Sequence, residues 1–398
     1  MMIIERLETR ITKECDVLVC GGGFAGISAA LAAARQNKKV ILLEKSYLLG
    51  GLATSGLITI YLPLCDGLGR QVSFGIAEEL LRLSIKMGAE DKYPENWLDN
   101  IGTRTEADKR FEVQFNPQLF AILSEQLLLK EKVEILYGSY AVATDVSDNK
   151  INAVIIENKS GRQAIKSKNV IDCTGDCDIA HFSGVNCEKF KQGNVLAAWY
   201  YSTGKDGYKL NTLGFCDIPD DQKDKNYKDN HLVNKRFTGL DGAELSNMTV
   251  LSHTSTLNDI IKKRENDKEL FPTTIATTPQ VRMTRKIVGE YTLHDTEMHT
   301  YFKDSIGMVS DWRKRGPVYE VPFRTLYSKD IKNLIVAGRC TSVTDSMWDI
   351  MRVIPCCAVT GEAAGVAATI TDDFSKIDIN KLQDILKQNG VILHENEL

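Results

Sequence analysis

The fold of this chain is decided by the stretch Asp16-Val-Leu-Val-Cys-Gly-Gly-Gly-Phe-Ala-Gly26. Its short apolar start is typical of a buried parallel strand, and the glycines follow at once. The small residues of Ile27-Ser-Ala-Ala-Leu-Ala-Ala-Ala-Arg35 predict a helix, and Lys39-Val-Ile-Leu-Leu-Glu44 predicts a second buried strand. This order of strand, turn, helix and strand is typical of the first βαβ unit of a doubly wound parallel sheet, a Rossmann-like α/β fold.

The spacing of the glycines in Gly21-x-Gly23-x-x-Gly26 indicates a dinucleotide site. In such a turn the first glycine permits the tight bend, the second lets the backbone approach a pyrophosphate, and the third lets the helix pack on the strand. Glu44, at the end of the second strand, is placed to accept hydrogen bonds from a ribose diol. The residues expected to contact the dinucleotide here are Gly21, Gly23, Phe24, Ala25, Gly26, Glu44 and Lys45.

A second glycine loop, Leu49-Gly-Gly-Leu-Ala-Thr-Ser-Gly56, closely follows the second strand. The first turn alone does not distinguish FAD from NAD. A second loop would let the backbone run close to the middle of an extended dinucleotide, which favours FAD; the alternative is a merely flexible loop. The contacts expected from it are Gly50, Gly51 and Thr54.

The remaining sequence predicts a cofactor domain that is interrupted and then resumed. Helices are expected at 76–87, 117–130, 361–368 and 378–388, and strands at 133–137, 169–172 and 333–337, with a hairpin over 140–157. Residues 189–329 are more polar and rich in loop residues. We therefore assign 12–55, 117–188 and 330–370 to the FAD-binding domain, 56–116 and 189–329 to an inserted mixed α+β substrate domain, and 371–398 to a C-terminal helix.

Composition narrows the class of protein. The 398 residues carry a net charge of −4, which argues against a nucleic-acid surface. No apolar run approaches the roughly 18 residues of a membrane helix, and the first residues lack the apolar core of a signal peptide, so a cytoplasmic location without membrane contact is expected. The ten cysteines show neither C-x-x-C nor a Cys/His ligand set, so no metal site is predicted and buried core residues are the default. A redox or metal role for Cys173 with Cys177, or for Cys356 with Cys357, is the alternative.

Three further blocks, taken with the first 56 residues, complete a recognisable pattern. They are Val170-Ile-Asp-Cys-Thr-Gly-Asp176, then Gln280-Val-Arg-Met-Thr-Arg-Lys-Ile-Val-Gly-Glu-Tyr291, and then Asn333-Leu-Ile-Val-Ala-Gly-Arg-Cys-Thr-Ser342 with Arg352-Val353 and Gly361-Glu-Ala-Ala-Gly365. From about residue 14 to 370 the chain resembles the FAD-dependent oxidoreductase family of the glutathione reductase-like flavoprotein superfamily. The resemblance implies that the cofactor is FAD.

The resemblance also implies where FAD is contacted. The first block would return the chain to the cofactor, Gly338 and Arg339 would lie near the pyrophosphate and ribityl chain, and residues 361–365 would open a helix toward the flavin. The expected contacts are Val142 (backbone to the adenine), Thr174, Gly175, Asp176, Gly338, Arg339, Gly361 and Ala364. In this family the segment after Gly-Arg often reads Ser-x-Thr-His, whereas here it reads Ser342-Val-Thr-Asp345. Asp345 could replace the missing imidazole as a base.

Four residues are candidates for the chemistry. Arg282 and Arg352 fall in blocks expected to converge on the flavin, where a guanidinium could pair with a substrate carboxylate. Tyr319 and Asp345 are the candidates for moving a proton. For each of the four the alternative is a structural ion pair or an ordinary packed residue.

The function expected is an FAD-dependent oxidoreductase that moves hydride or electrons between the flavin and a small polar, possibly anionic, substrate. The alternative is a flavin-bearing electron-transfer subunit that serves a protein partner, and a homo-oligomer is also open. A pyridine-nucleotide disulfide reductase is disfavoured, because the chain lacks a second G-x-G-x-x-G and a C-x-x-C.

Overall fold

A seven-stranded sheet forms the centre of the computed structural model, which describes residues 3–87, 112–214, 220 and 231–398. The strands are β1 Ile11–Cys20, β2 Val40–Leu43, β3 Ile60–Tyr61, β4 Val113–Gln114, β5 Glu134–Leu136, β6 Tyr140–Ser147, β7 Lys150–Asn158, β8 Gly161–Asp172, β9 Cys187–Lys189, β10 Tyr200–Thr203, β11 Lys209–Asn211, β12 Phe271–Ile275, β13 Arg285–Ile287, β14 Ser305–Ser310, β15 Val318–Pro322 and β16 Leu334–Val336. The helices are α1 Phe24–Arg35, α2 Ile76–Ile85, α3 Pro117–Lys130, α4 Asp178–Phe182, α5 Gly242–Arg264, α6 Asp345–Met351, α7 Ile354–Ile370 and α8 Ile379–Gln388.

The large sheet is mainly parallel, as expected for a Rossmann-like fold. Its order is β5-β2-β1-β8-β7-β6, and β16 also pairs with β8. The second half of β8 is parallel to both β1 and β16, whereas its first half is antiparallel to β7 in the hairpin β6–β7. The strands therefore come from both ends of the chain, which confirms the α/β fold class.

Helices α1 and α7 pack unusually close together, because small residues line their contact. A Cβ atom added to Gly361 would lie 2.2 Å from the carbonyl oxygen of Ala25, and one added to Gly365 would lie 2.3 Å from that of Ala29. Side chains at these glycines would push the two backbones apart. The contact therefore holds α1, together with the glycine turn at its start, against α7 from the C-terminal part of the chain.

The segment from residue 189 onward adds smaller sheets and one long helix. Strands β11, β10 and β12 form a three-stranded sheet, and β14 pairs with β15. Helix α5 was not predicted from the sequence. It buries only Met248, Thr256 and Ile260, so its apolar periodicity is weak.

Among the described residues, no single helix has both the length and the apolar character needed to cross a membrane. Helices α6 and α7 reach that standard only when taken together, and they bend by 88° at their junction.

Candidate functional site

A cleft opens where the parallel strands β2, β1, β8 and β16 end. This is the edge at which open α/β sheets bind ligands. The segments predicted to bind the dinucleotide follow directly after these strands and therefore lie at this edge. Of the predicted contacts, the cleft is lined by Gly21, Gly23, Phe24, Ala25, Glu44, Lys45, Gly50, Gly51, Thr174, Gly175, Asp176, Gly338 and Arg339, and it is also lined by Arg352.

Two glycines of the first turn are required by the protein itself. Gly21 has a φ of 108°, in the left-handed region, and an added Cβ would lie 2.3 Å from the Cys173 carbonyl oxygen. At Gly26 the added Cβ would lie 1.8 Å from the carbonyl oxygen of Gly21. Gly26 does not line the cleft; it lets α1 start against the strand end.

Gly23 differs, because nothing in the described protein explains the missing side chain. Its backbone is extended, with φ −72° and ψ −177°, and an added Cβ would meet no atom within 4 Å. That Cβ would occupy cleft space. Within the part of the chain that the structure describes, no side chain caps α1 at this residue, so the N–H groups of the first turn are left to a ligand or to water. This arrangement suits an anion at the helix N-terminus.

Glu44 is held rigidly beside the glycine turn. Its side chain accepts hydrogen bonds from the Gly22 peptide N–H at 2.8 Å and from the N–H and hydroxyl of Ser46 at 2.8 and 2.9 Å. A carboxylate offers about four acceptor sites, so capacity remains for hydroxyl groups in the cleft. The second glycine loop packs directly on the first, where the Gly50 N–H donates to the Gly22 carbonyl at 2.8 Å.

Arg339 joins the ends of β8 and β16 to the polar segment. Its guanidinium donates to the carbonyl oxygen of Val281 at 2.5 Å and lies 3.4 Å from the Asp176 carboxylate. Thr284 donates to the same carboxylate at 2.8 Å. Because Val281 also lines the cleft, Arg339 closes one of its walls.

Arg352 brings a positive charge to the cleft at the junction of α6 and α7. Its Nε donates to Asp349 at 3.0 Å, and Nη2 contacts the same carboxylate oxygen. Asp349 is fully buried and also lies 3.4 Å from the guanidinium of Arg313. The N-terminus of α7 adds positive potential nearby, because Ile354, its first residue, lines the cleft.

A family model described as "FAD dependent oxidoreductase" matches residues 16–197 and 197–386. The chain belongs to the FAD dependent oxidoreductase family. FAD is therefore its cofactor, and the protein is an oxidoreductase enzyme. No curated protein matches the chain in sequence.

Several solved structures resemble this chain in fold at low sequence identity. One is a geranylgeranyl bacteriochlorophyll reductase-like protein from Thermoplasma acidophilum, with 15% identity, 95% of this chain and 82% of that chain covered, and a TM-score of 0.45. Another is p-nitrophenol 4-monooxygenase from Pseudomonas putida, with 12% identity, 95% and 81% covered, and a TM-score of 0.46. A flavin-dependent brominase triple mutant gives 10% identity, 94% and 84% covered, and a TM-score of 0.47.

Three of the four residues predicted for chemistry in this oxidoreductase do not line the cleft. Arg282 is buried with its guanidinium over the Trp199 ring, at 5.4 Å. The buried Tyr319 hydroxyl donates to the Asp295 carbonyl oxygen at 2.9 Å, and burial raises the pKa of Tyr319 to about 12.

Asp345, the third of these residues, forms an ion pair with Lys286 at 3.0 Å. Of the four predicted residues, Arg352 alone is among the described residues that line the cleft. The proton-transfer roles of Tyr319 and Asp345 stay predictions from the sequence.

Some predicted FAD contacts also lie behind the lining. Gly361 packs against Ala25, as described above, which explains its lack of a side chain without a ligand. Thr54 donates to the carbonyl oxygen of Leu49 and so shapes its loop. Ser139, Tyr140 and Ala141 line the cleft in place of Val142. The predicted contacts outside the lining are Gly26, Thr54, Val142, Gly361 and Ala364.

The cleft also contains residues that the sequence did not single out. Cys20, Leu43 and Ala337 end or follow parallel strands, so the rule about strand ends could have found them. Asp178 lines the cleft as well, and burial, helped by Asp176 and Asp172, raises its pKa to about 6. Val281 belongs to the block 280–291 quoted above, whereas Gly239, Leu245, Thr278 and Pro279 reach the cleft by long-range packing, for which a single sequence carries no local signal.

Proposed function

We propose that FAD lies along this cleft with its pyrophosphate at Gly23 and the first turn of α1. The supporting observation is the space at Gly23, which no atom of the described residues fills and no backbone requirement explains. Glu44 would hold the adenosine ribose, and the isoalloxazine ring would lie toward Arg352 and the start of α7. Apolar residues of the cleft lining, Leu52 and Ile354 among them, suit a flat ring.

We further propose that the enzyme moves hydride or electrons between FAD and a small, anionic substrate bound by Arg352. When bound, FAD supplies the redox chemistry at its isoalloxazine ring, so the chain need only bind, orient and exclude water. Of the four residues predicted for the chemistry, Arg352 alone is among the described residues that line the cleft. Asp349 holds the Nε and Nη2 edge of the guanidinium in place, and the positive charge beside the cleft suits a carboxylate.

Residues 189–329 would form the substrate side of the cleft in this proposal. Gly239, Leu245 and Val281 come from this segment and line the same cleft as the glycine turns. The proposed division into an FAD-binding domain and an inserted substrate domain therefore gives each part a surface on the same cleft. The proposed location of the enzyme is the cytoplasm.

The first experiment asks whether a small molecule exchanges electrons with the bound flavin. Purified FAD-loaded protein is reduced anaerobically and mixed in a stopped-flow instrument with small carboxylates, matched neutral analogues and artificial dyes. Selective reoxidation by a carboxylate supports the proposal. Reoxidation only by a partner protein would overturn it in favour of an electron-transfer subunit.

The second experiment tests Arg352 with a matched arginine control. Arg352→Gln removes a charge-assisted interaction worth about 1.5–3 kcal/mol, so the Kd for the carboxylate should rise roughly 10- to 150-fold. Binding of the neutral analogue and FAD content should change little. Arg324→Gln is the control, because Arg324 pairs with Asp304 and does not line the cleft. Equal effects of the two substitutions would contradict the assignment.

A further inference from the structure

Three cysteines lie together behind the end of strand β8, outside the cleft lining. The sulfur atoms of Cys177 and Cys187 are 3.8 Å apart, and the Cys177 peptide N–H donates to the Cys340 sulfur at 3.2 Å. We propose that this is an oxidation site, in which a hydroperoxide attacks Cys187 and Cys177 then forms a disulfide with it. The site uses no residue assigned above to FAD or substrate.

Cys187 is the thiol that an oxidant can reach. It is partly exposed at the start of β9, whereas Cys177 and Cys340 are fully buried. The Cys177 thiol lowers the pKa of Cys187, partial burial opposes this, and the Arg285 guanidinium adds to the lowering. Peroxides react with thiolates, so both exposure and charge favour Cys187.

Cys177 is the thiol placed to complete the reaction. A disulfide bond is about 2.05 Å long, so the two sulfurs must approach by less than about 2 Å from their present contact. Burial raises the pKa of Cys177 well above its usual range, which keeps this thiol protonated and leaves the first attack on the peroxide to Cys187. Redox-sensitive sites often combine an exposed reactive thiol with an adjacent thiol that completes the disulfide, and Cys187 and Cys177 match these two roles.

The two steps balance without any reactant besides the peroxide. In the first, the Cys187 thiolate attacks one peroxide oxygen, the O–O bond breaks, and after proton uptake the products are a sulfenic acid and water (an alcohol from an organic peroxide). In the second, the Cys177 sulfur attacks the Cys187 sulfur, the S–O bond breaks, and water leaves with the thiol proton. Overall two thiols lose two electrons and two protons, and the peroxide gains them.

The test uses FAD-loaded protein treated with hydrogen peroxide, alkylated to trap remaining thiols, and digested for mass spectrometry. Trypsin leaves Cys173, Cys177 and Cys187 together on peptide 169–189, but additional cleavage before aspartate separates all three. We expect a fragment carrying Cys177 joined to a fragment carrying Cys187, with the mass of two hydrogen atoms lost. Linkage of Cys177 to Cys173 or Cys340, or Cys187 left reduced while other cysteines oxidise, would overturn the proposal.

Variants assign the two roles. With Cys177→Ser the sulfenic acid on Cys187 should persist and react with dimedone, whereas with Cys187→Ser dimedone labelling of residue 177 should be absent. Cys15→Ser is the matched control, since Cys15 pairs with Ser167, five residues before the end of β8, and it should leave the disulfide yield unchanged. Labelling of Cys177 in Cys187→Ser would reverse the roles and contradict the proposal. Ligand atoms of Asp172, Cys177 and Cys340 lie within 4.8 Å of one another and could hold a metal ion, so tightly bound zinc that blocks oxidation of the wild-type protein would also contradict the proposal.

Discussion

Replacing Gly23 by valine separates FAD binding from folding more cleanly than any other change in the glycine turn. The φ of −72° and ψ of −177° suit any residue, and the added Cβ meets no atom of the described protein within 4 Å. By contrast, side chains at Gly21 and Gly26 would collide with backbone at 2.3 and 1.8 Å. Since Gly23 lines the cleft, a valine side chain there would take up the space assigned to the pyrophosphate.

The expected loss of affinity follows from the hydrogen bonds that the valine would prevent. If two N–H groups of the first turn of α1 can no longer reach the phosphates, at about 1.5–3 kcal/mol each, binding weakens by roughly 3–6 kcal/mol. The Kd for FAD should then rise by about 10² to 10⁴-fold. Gly23 is also the N-cap of α1, and losing glycine there should cost the FAD-free protein only about 1 kcal/mol of stability.

Two measurements on the Gly23→Val protein check this prediction. Absorbance after gel filtration and a fluorescence titration of the FAD-free protein give content and Kd, and urea unfolding of the FAD-free protein gives stability. Gly242→Val is the matched control, because Gly242 also has open space around its Cβ but lies outside the cleft. A Gly23→Val protein that keeps stoichiometric FAD at near wild-type affinity would refute the placement of the pyrophosphate.

Two further predictions concern stability. Burial raises the pKa of Glu362 to about 8 from 4.5, so the folded protein holds a proton that the unfolded chain releases, and stability should fall as pH rises from about 4.5 to 8. In urea unfolding, Glu362→Gln should remove this dependence of the unfolding free energy on pH, so that the variant gains a few kcal/mol over the wild-type protein between pH 5 and pH 8. An unchanged dependence on pH would contradict the prediction. Asn333 exchanges hydrogen bonds of 2.8 and 2.9 Å with the backbone of Ile151 and donates to the Lys168 carbonyl at 2.9 Å. Asn333→Ala should therefore cost about 2–4 kcal/mol, and a loss below about 1 kcal/mol would show that these bonds contribute little.

The cofactor half of the fold could be predicted because its sequence signals are local. The helix expected over 117–130 is found as Pro117–Lys130, where Asn116 caps the start and proline occupies the first turn. The hairpin β6–β7 and the strands on either side of the glycine turn were also predicted correctly. Helix α7 begins at Ile354, earlier than the predicted residue 361. Pro355 suits the first turn of a helix, but the prediction took Gly361 as the start and so missed the first two turns.

The substrate side of the cleft could not be predicted, since it depends on contacts between distant residues. Arg282 and Arg352 both lie in sequence blocks that were expected to converge on the flavin. In the structure, however, Arg282 stacks on Trp199, whereas Arg352 lines the cleft. Arg352 is held by Asp349, three residues earlier in the chain, a spacing that allows a pair on a helix; the complete burial of Asp349, however, depends on packing between distant residues. Likewise Leu245 reaches the cleft from a helix that buries few apolar residues.

The central claim, that FAD lies in this cleft with its flavin end toward Arg352, is tested most directly by an electron-density map of crystals grown with FAD. We predict density for the pyrophosphate within hydrogen-bond distance of the first-turn N–H groups of α1, the adenosine ribose at Glu44, and the isoalloxazine ring on the Arg352 side. FAD bound outside the cleft, or in the reverse direction with the isoalloxazine ring beside Glu44, would contradict the account.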